Sequence, residues 1–212
     1  MIQIDDAGSG SLVGGTCIGA MRVETGEFFC DIIPMEYYND ENFKNKLYLK
    51  KACEIGKKLL EKLKVSKTEK IQVCRGYMFD TFRKWLEQEE YNWESTQISS
   101  PLQDIIENSF ENYALSLGLP EKFLRYTKYP FHFHRLLRWV YADYENRAKL
   151  CKTGWNSWKK YGKLEVEISY TYLQENKNYL CLKCGKNIQP GTVKVIKYTS
   201  NYPNTIYLHI NC

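Results

Sequence analysis

The chain has 212 residues, 43% of them hydrophobic and 26% charged, with a formal net charge of +5. That balance fits a folded protein and argues against a disordered segment, a collagen-like repeat or a membrane span. The length allows one medium domain plus a small appendage.

Met1-Ile2-Gln3-Ile4 runs straight into Asp5-Asp6 without the basic and apolar lead of a signal peptide, so a cytoplasmic protein is expected. Ile2 to Asp5 reads as a strand entering a Gly/Ser loop, Ala7-Gly8-Ser9-Gly10-Ser11. Leu12 to Val23 reads as a second strand and Glu27 to Ile33 as a third, which Pro34 ends. A helix follows from Asn39 or Asp40, with Phe43, Leu47, Ala52, Ile55, Leu59 and Leu63 at helical spacing. Lys70 to Cys74 is a fourth strand, Met78 to Glu90 a second helix and Trp93 to Ile98 a fifth strand. Pro101 opens a third helix, striped by Leu102, Ile105, Ile106, Phe110, Tyr113, Ala114 and Leu117, which Gly118 ends. The order is βββαβαβα over residues 1–120, an α/β pattern that predicts a mixed sheet.

Beyond this body the composition shifts. Residues 1–120 carry 14 basic and 19 acidic side chains, residues 121–163 carry 11 and 3, and residues 164–212 carry 5 and 3. Residues 121–163 therefore read as a basic aromatic helical extension, with a helix from about His134 to Leu150, and as the place where a polyanion would bind if one is a partner. Arg135, Arg138, Lys159 and Lys160 are candidate phosphate contacts, and Trp155 and Trp158 candidate stacking platforms. For most of the other aromatics a core role is the better reading. His132 and His134 alternate as on a strand and fit partly buried positions better than proton transfer. Asp143 either joins a metal site or pairs with an arginine. Leu164 to Tyr172 alternates as a half-buried strand leading into a zinc-binding β module over residues 164–212.

Eight cysteines are unevenly placed. Cys17, Cys30, Cys53, Cys74 and Cys151 stand singly and read as reduced core residues. The other three join a histidine: Cys181-x2-Cys184, 24 intervening residues that begin with Gly185, then His209-x2-Cys212. A Cys-x2-Cys knuckle presents two thiolates to one ion, and His-x2-Cys completes a tetrahedral Cys3His set. A closed set of four protein ligands predicts structural Zn2+ at Cys181, Cys184, His209 and Cys212. The segment resembles treble-clef and poly(ADP-ribose) polymerase-type zinc fingers, which implies contact with nucleic acid or with protein.

Asp5-Asp6-Ala7-Gly8-Ser9-Gly10 carries the other candidate chemistry. Acidic residues closing a central strand can hold a hard divalent cation, and the glycines let backbone N–H groups approach a phosphate. The same residues serve as an ordinary turn in the simpler reading. The motif resembles the Asp-Glu-Ala-Gly-Arg-Gly opening of type 2 ribonucleases H, and the strand order fits the ribonuclease H-like superfamily. That resemblance implies metal-binding roles for Asp5 and Asp6, nucleic-acid contact at Gly8, Ser9 and Gly10, and catalytic Mg2+ or Mn2+. A further carboxylate is expected on the helix after strand five, where Asp104 fits and Glu107 is in reserve. The fourth strand departs from the pattern, ending in Cys74 with no acid before Asp80. Glu54 reads as a surface residue among lysines.

These readings converge on a metal-dependent nuclease with nucleic acid as its partner. The alternatives are a non-catalytic nucleic-acid binder on the same scaffold and a zinc-stapled module that binds a protein partner.

Overall fold

The computed structural model describes residues 1–174 and 179–212. It is α/β, with a mixed five-stranded sheet and a separate three-stranded antiparallel sheet. Two compact units result: residues 1–10 with 14–113, and residues 11–13 with 114–212.

In the first unit, β1 (Ile2–Ala7), β2 (Thr16–Arg22) and β3 (Phe28–Ile33) form an antiparallel meander. β4 (Ile71–Cys74) adds parallel to β1, and β5 (Trp93–Thr96) parallel to β4, giving the order β3-β2-β1-β4-β5. Ile2, Ile4, Ile18, Ala20, Ile71 and Val73 are all buried in one cluster. That cluster includes α2 (Leu47–Lys62) and α3 (Asp80–Gln88), through Ala52, Ile55, Leu59, Phe82 and Leu86. Met21, Ile98 and Leu102 form a smaller cluster where α4 (Leu102–Ser116) begins. The period-two alternation of β1 thus sets Ile2 and Ile4 to one face and Gln3 and Asp5 to the other.

The helix expected to run unbroken from Asn39 is two. α1 spans Asp40–Lys44, and Lys46 then takes a left-handed turn at φ 53° before α2 starts. The turn stacks Phe43 on Tyr48 at 5.1 Å, with Tyr38 at 5.5 Å. Aromatic packing outweighs continuity of the helix there.

The second unit holds α5 (Glu121–Tyr126), α6 (Phe133–Tyr141), α7 (Tyr144–Arg147) and α8 (Asn156–Tyr161). It also holds the sheet of β6 (Glu167–Leu173), β7 (Gly191–Thr199) and β8 (Pro203–His209). The basic extension and the zinc-motif segment, distinguished in the sequence by composition and motif, share one core. Leu136, Leu137, Trp139 and Val140 of α6 are buried with Val193, Val195, Ile196, Ile206 and Leu208 of the sheet. A sheet of three strands has too little apolar surface to stand alone, and α6 supplies the missing face. The helix expected over 134–150 breaks at Ala142–Asp143, where Asp143 leaves the helical region at φ −156° and starts α7.

Candidate metal centres

The clearest cluster of donors is Cys181, Cys184, His209 and Cys212, whose ligand atoms all lie within 4.8 Å of one another. β8 ends at His209, and a turn from the His209 carbonyl to the Cys212 N–H folds the last ligand back. The first pair sits on a knuckle closed by the Gly185 N–H donating to the Cys181 carbonyl at 2.8 Å. Gly185 has φ +74°, and a Cβ there would come within 3.1 Å of Pro120, so both backbone conformation and packing call for glycine.

The histidine is oriented for ligation. Its Nε2 faces the Asn187 carbonyl at 3.3 Å, which holds the proton there and leaves the Nδ1 lone pair facing Cys184 Sγ at 3.3 Å. Burial alone raises the Cys181 thiol, but backbone N–H groups at Cys184, His209 and Lys183 bring it down to about 7. Three thiols and one imidazole, with N–H donors around the innermost sulfur, can hold a metal ion such as zinc.

Arg147 secures this site from behind, a role the sequence did not reveal. Its guanidinium is buried, donating to the Trp139 and Leu182 carbonyls at 2.7 and 2.8 Å and to the Lys183 carbonyl at 2.9 Å. It also stacks 4.0 Å from the centre of the Trp139 ring. Leu182 and Lys183 are the two residues between the knuckle cysteines, so Arg147 ties the knuckle to α6. With Zn2+ bound, a Cys3His centre would carry one net negative charge, and the guanidinium, which already feels the Cys181 sulfur, would be its counter-charge.

The second donor group is Asp5, Asp6 and Cys74, again within 4.8 Å of one another. It forms because β1 and β4 are parallel neighbours: the register pairing Ile4 with Val73 sets Asp5 beside Cys74 at the carboxyl ends of both strands. Asp5 is only 7% exposed and accepts the Asp6 N–H at 2.9 Å. Burial pushes its carboxyl above the usual range; bonds from Cys74 and the Asp6 N–H oppose this, while the charge of Glu107 adds to it. Burial and Asp5 together push the Cys74 thiol up to about 11. Arg83 braces the strand end, donating to the Cys74 carbonyl at 2.7 Å, the Gly76 carbonyl at 3.1 Å and Asp80 at 2.6 Å.

The expected site residues separate accordingly. Asp5 and Asp6 come together, and Cys74 joins them where a carboxylate was sought. Asp104 does not join: it is exposed and bonded to Ser100 at 2.6 Å. One turn on, Glu107 is the carboxylate of α4 whose charge bears on Asp5. Asp80 is tied to Arg83. Gly8 has φ +81°, and a Cβ there would overlap the Phe110 ring at 2.1 Å, so packing against α4 already requires this glycine. Ser9 is half-buried and Gly10 exposed. A carboxylate pair with one thiol is a softer donor set than the all-oxygen sites that suit Mg2+.

Among the candidate nucleic-acid contacts, Arg135, Lys159 and Lys160 are exposed. Arg138 is half-buried and donates to the Thr205 carbonyl at 2.9 Å. Trp155 is half-buried beneath the Lys152 ammonium, 5.3 Å from its ring centre. Trp158 is not a contact surface: it is 6% exposed and lies parallel to Tyr144 in the core, one helical turn back from the Gly162 bend. Asp143 pairs with Lys183 at 3.5 Å. His134 lies in α6 rather than on a strand, among the rings of His132, Phe133, Tyr161 and Tyr202.

No protein-family model matches this chain, and no curated protein matches it either. Among the described residues, no helix is long and apolar enough to cross a membrane.

Proposed function

We propose that the chain is a divalent-metal-dependent nuclease on a ribonuclease H-like scaffold, with structural Zn2+ in its second unit. The observation carrying this reading is the meeting of Asp5, Asp6 and Cys74 at the carboxyl ends of two adjacent parallel central strands. The strand order β3-β2-β1-β4-β5, a meander extended in parallel, supports the ribonuclease H-like assignment. The basic second unit supports a polyanionic substrate.

Divalent Mg2+ or Mn2+, when bound, supplies an activated water and neutralises the leaving oxygen of a phosphodiester. The chain's own residues do the rest. Asp5 and Asp6 present carboxylate oxygens from a rigid strand end. Arg83 fixes the backbone carrying Cys74. Glu107 adds negative charge on the α4 side, which raises the local demand for a cation. The decisive experiment incubates the zinc-loaded chain with single-stranded, duplex and hybrid oligonucleotides in Mn2+ and in Mg2+. Cleavage abolished by Asp5→Asn, with the fold intact by circular dichroism, is the expected outcome. Absence of cleavage on every substrate in both metals refutes the reading.

One observation favours a second reading, a non-catalytic nucleic-acid binder. β4 ends in a thiol where the resemblance calls for a carboxylate. Salt-dependent binding without cleavage supports that alternative.

A further inference from the structure

A groove of about 290 Å³ in the second unit lies where α5 and α6 face β8 and the chain entering the zinc knuckle. Phe123, Thr127, Arg135, Arg138, Tyr179 and Tyr207 line it, and among the described residues no acidic side chain does. Arg138 spends one nitrogen on the Thr205 carbonyl, while its Nε has no partner among the described residues. Arg135, one turn earlier on α6, is exposed beside it. The Tyr179 and Tyr207 rings pack on one another at 4.6 Å, each half-buried. Tyr126 and Tyr129 flank Thr127 and are 76% and 72% exposed.

From this juxtaposition we infer that the groove is a binding site for single-stranded nucleic acid, an inference that rests on the proposed nucleic-acid substrate. Two guanidiniums side by side, with no carboxylate among the described lining residues, match consecutive backbone phosphates. Tyrosine rings beside them give an unpaired base a surface to stack on. The groove's volume is that of a pocket for one small ligand, enough for one base turned out of its strand. A base held in a duplex is stacked on both sides and its face does not reach these rings. Tyr179, Leu180 and Leu182, on the chain that enters the knuckle, form one wall of the groove, so a metal bound by the knuckle would hold that wall in place.

Fluorescence anisotropy on the full zinc-loaded chain, carried out in the Asp5→Asn background so that no probe is cut, tests this. The probes are a labelled 12-mer single strand and the blunt duplex of the same sequence. The single strand is expected to bind at least tenfold more tightly. Arg135→Ala/Arg138→Ala is expected to weaken it about tenfold and to lower the salt slope by about 1.4, two phosphate contacts at roughly 0.7 each. Tyr207→Leu is expected to weaken single-strand binding about tenfold while leaving the salt slope alone, because stacking releases no counterions. Arg135→Glu, at an exposed position, serves if the double variant loses zinc or fold. Equal affinity for duplex overturns the inference, as does an Arg135→Glu chain with unchanged affinity and slope. Displacement of the strand by an acidic peptide at equal charge concentration overturns it too, by making the groove a protein site. Cleavage of oligonucleotides by the parent chain together with groove variants of undiminished affinity refutes the groove alone. Tight groove-dependent binding in a parent chain that never cleaves refutes the nuclease alone.

Discussion

Arg147→Ala is the sharpest test of how the second unit is held together. The substitution removes a buried guanidinium and three charge-assisted hydrogen bonds, to the carbonyls of Trp139, Leu182 and Lys183. Those carbonyls gain no new donor, and each orphaned buried acceptor costs about 1–3 kcal/mol. Since the three losses share one group and do not add in full, the total is about 3–5 kcal/mol, the range for breaking a buried charged interaction. A unit of this size shifts its midpoint by about 4–8 °C per kcal/mol, so melting is expected at least roughly 12 °C lower. Differential scanning calorimetry on the zinc-loaded chain measures this, and a chromophoric chelator measures zinc release in parallel. Release is expected to be faster, because the Leu182-Lys183 backbone between two ligands loses its anchor. Arg147→Lys keeps the charge without the fork, and recovery of less than half the lost stability is expected. A melting point within 2 °C of the parent, with unchanged zinc release, refutes the reasoning.

Three further outcomes follow from the geometry. Cys181→Ser, or stripping zinc with a strong chelator, is expected to open the second unit and leave the five-stranded sheet protected, read as a loss of amide protection confined to residues 114–212 in hydrogen exchange. Cys74→Asp replaces a thiol with a harder oxygen donor, so the ratio of Mn2+- to Mg2+-supported cleavage is expected to fall, measured as initial rates in each metal. His134 gives the second unit an acid sensitivity: burial, then the charge of His132, lowers its pKa from the ordinary 6.5. The unfolded chain therefore binds that proton more tightly, so its contribution to stability is complete above about pH 6.5 and fades as pH falls below it. His134→Phe is expected to flatten the drop in melting temperature between pH 7 and pH 5, and an unchanged drop rules His134 out as its source.

The sequence of strands and long helices was legible along the chain because β1 to β4 carry apolar residues bounded by turn residues, and α2 and α4 carry stripes at helical spacing; β5, Trp-Glu-Ser-Thr, gave the weakest signal. Leu102, Ile106, Phe110 and Ala114 recur on one face of α4, and all four are buried. The metal-binding pattern of Cys181, Cys184, His209 and Cys212 was legible for a simpler reason. Short-range spacing in a knuckle is itself the geometry, so two local pairs need only one long contact to become a site. Breaks in helices were not legible. Lys46 and Asp143 leave the helical region because ring packing and a new helix start win over local propensity; lysine gives no sign of that by its type, and the N-cap signal of Asp143 is hidden inside an otherwise helical apolar pattern.

Trp158 shows the limit from the other side. A tryptophan among lysines reads as a surface platform, yet α8 turns it inward against Tyr144. Side-chain direction on a helix of six residues is set by what the helix packs on, which composition does not contain.

Sequence alone determined the donors at both ends of the chain: three thiols and an imidazole in the tail, two carboxylates at the first strand. Tertiary structure decided their company. Cys74 meets Asp5 only because β1 and β4 are parallel neighbours in one register, and Glu107 rather than Asp104, one turn earlier on the same face, bears on Asp5 because of where along its length α4 passes the strand end. Arg147 reaches the knuckle across 35 residues of sequence because α7 and the Leu182 backbone share one core. Ligand spacing within a few residues is a property of the chain, whereas pairing between distant residues depends on sheet register and helix placement, which the whole packed core sets at once.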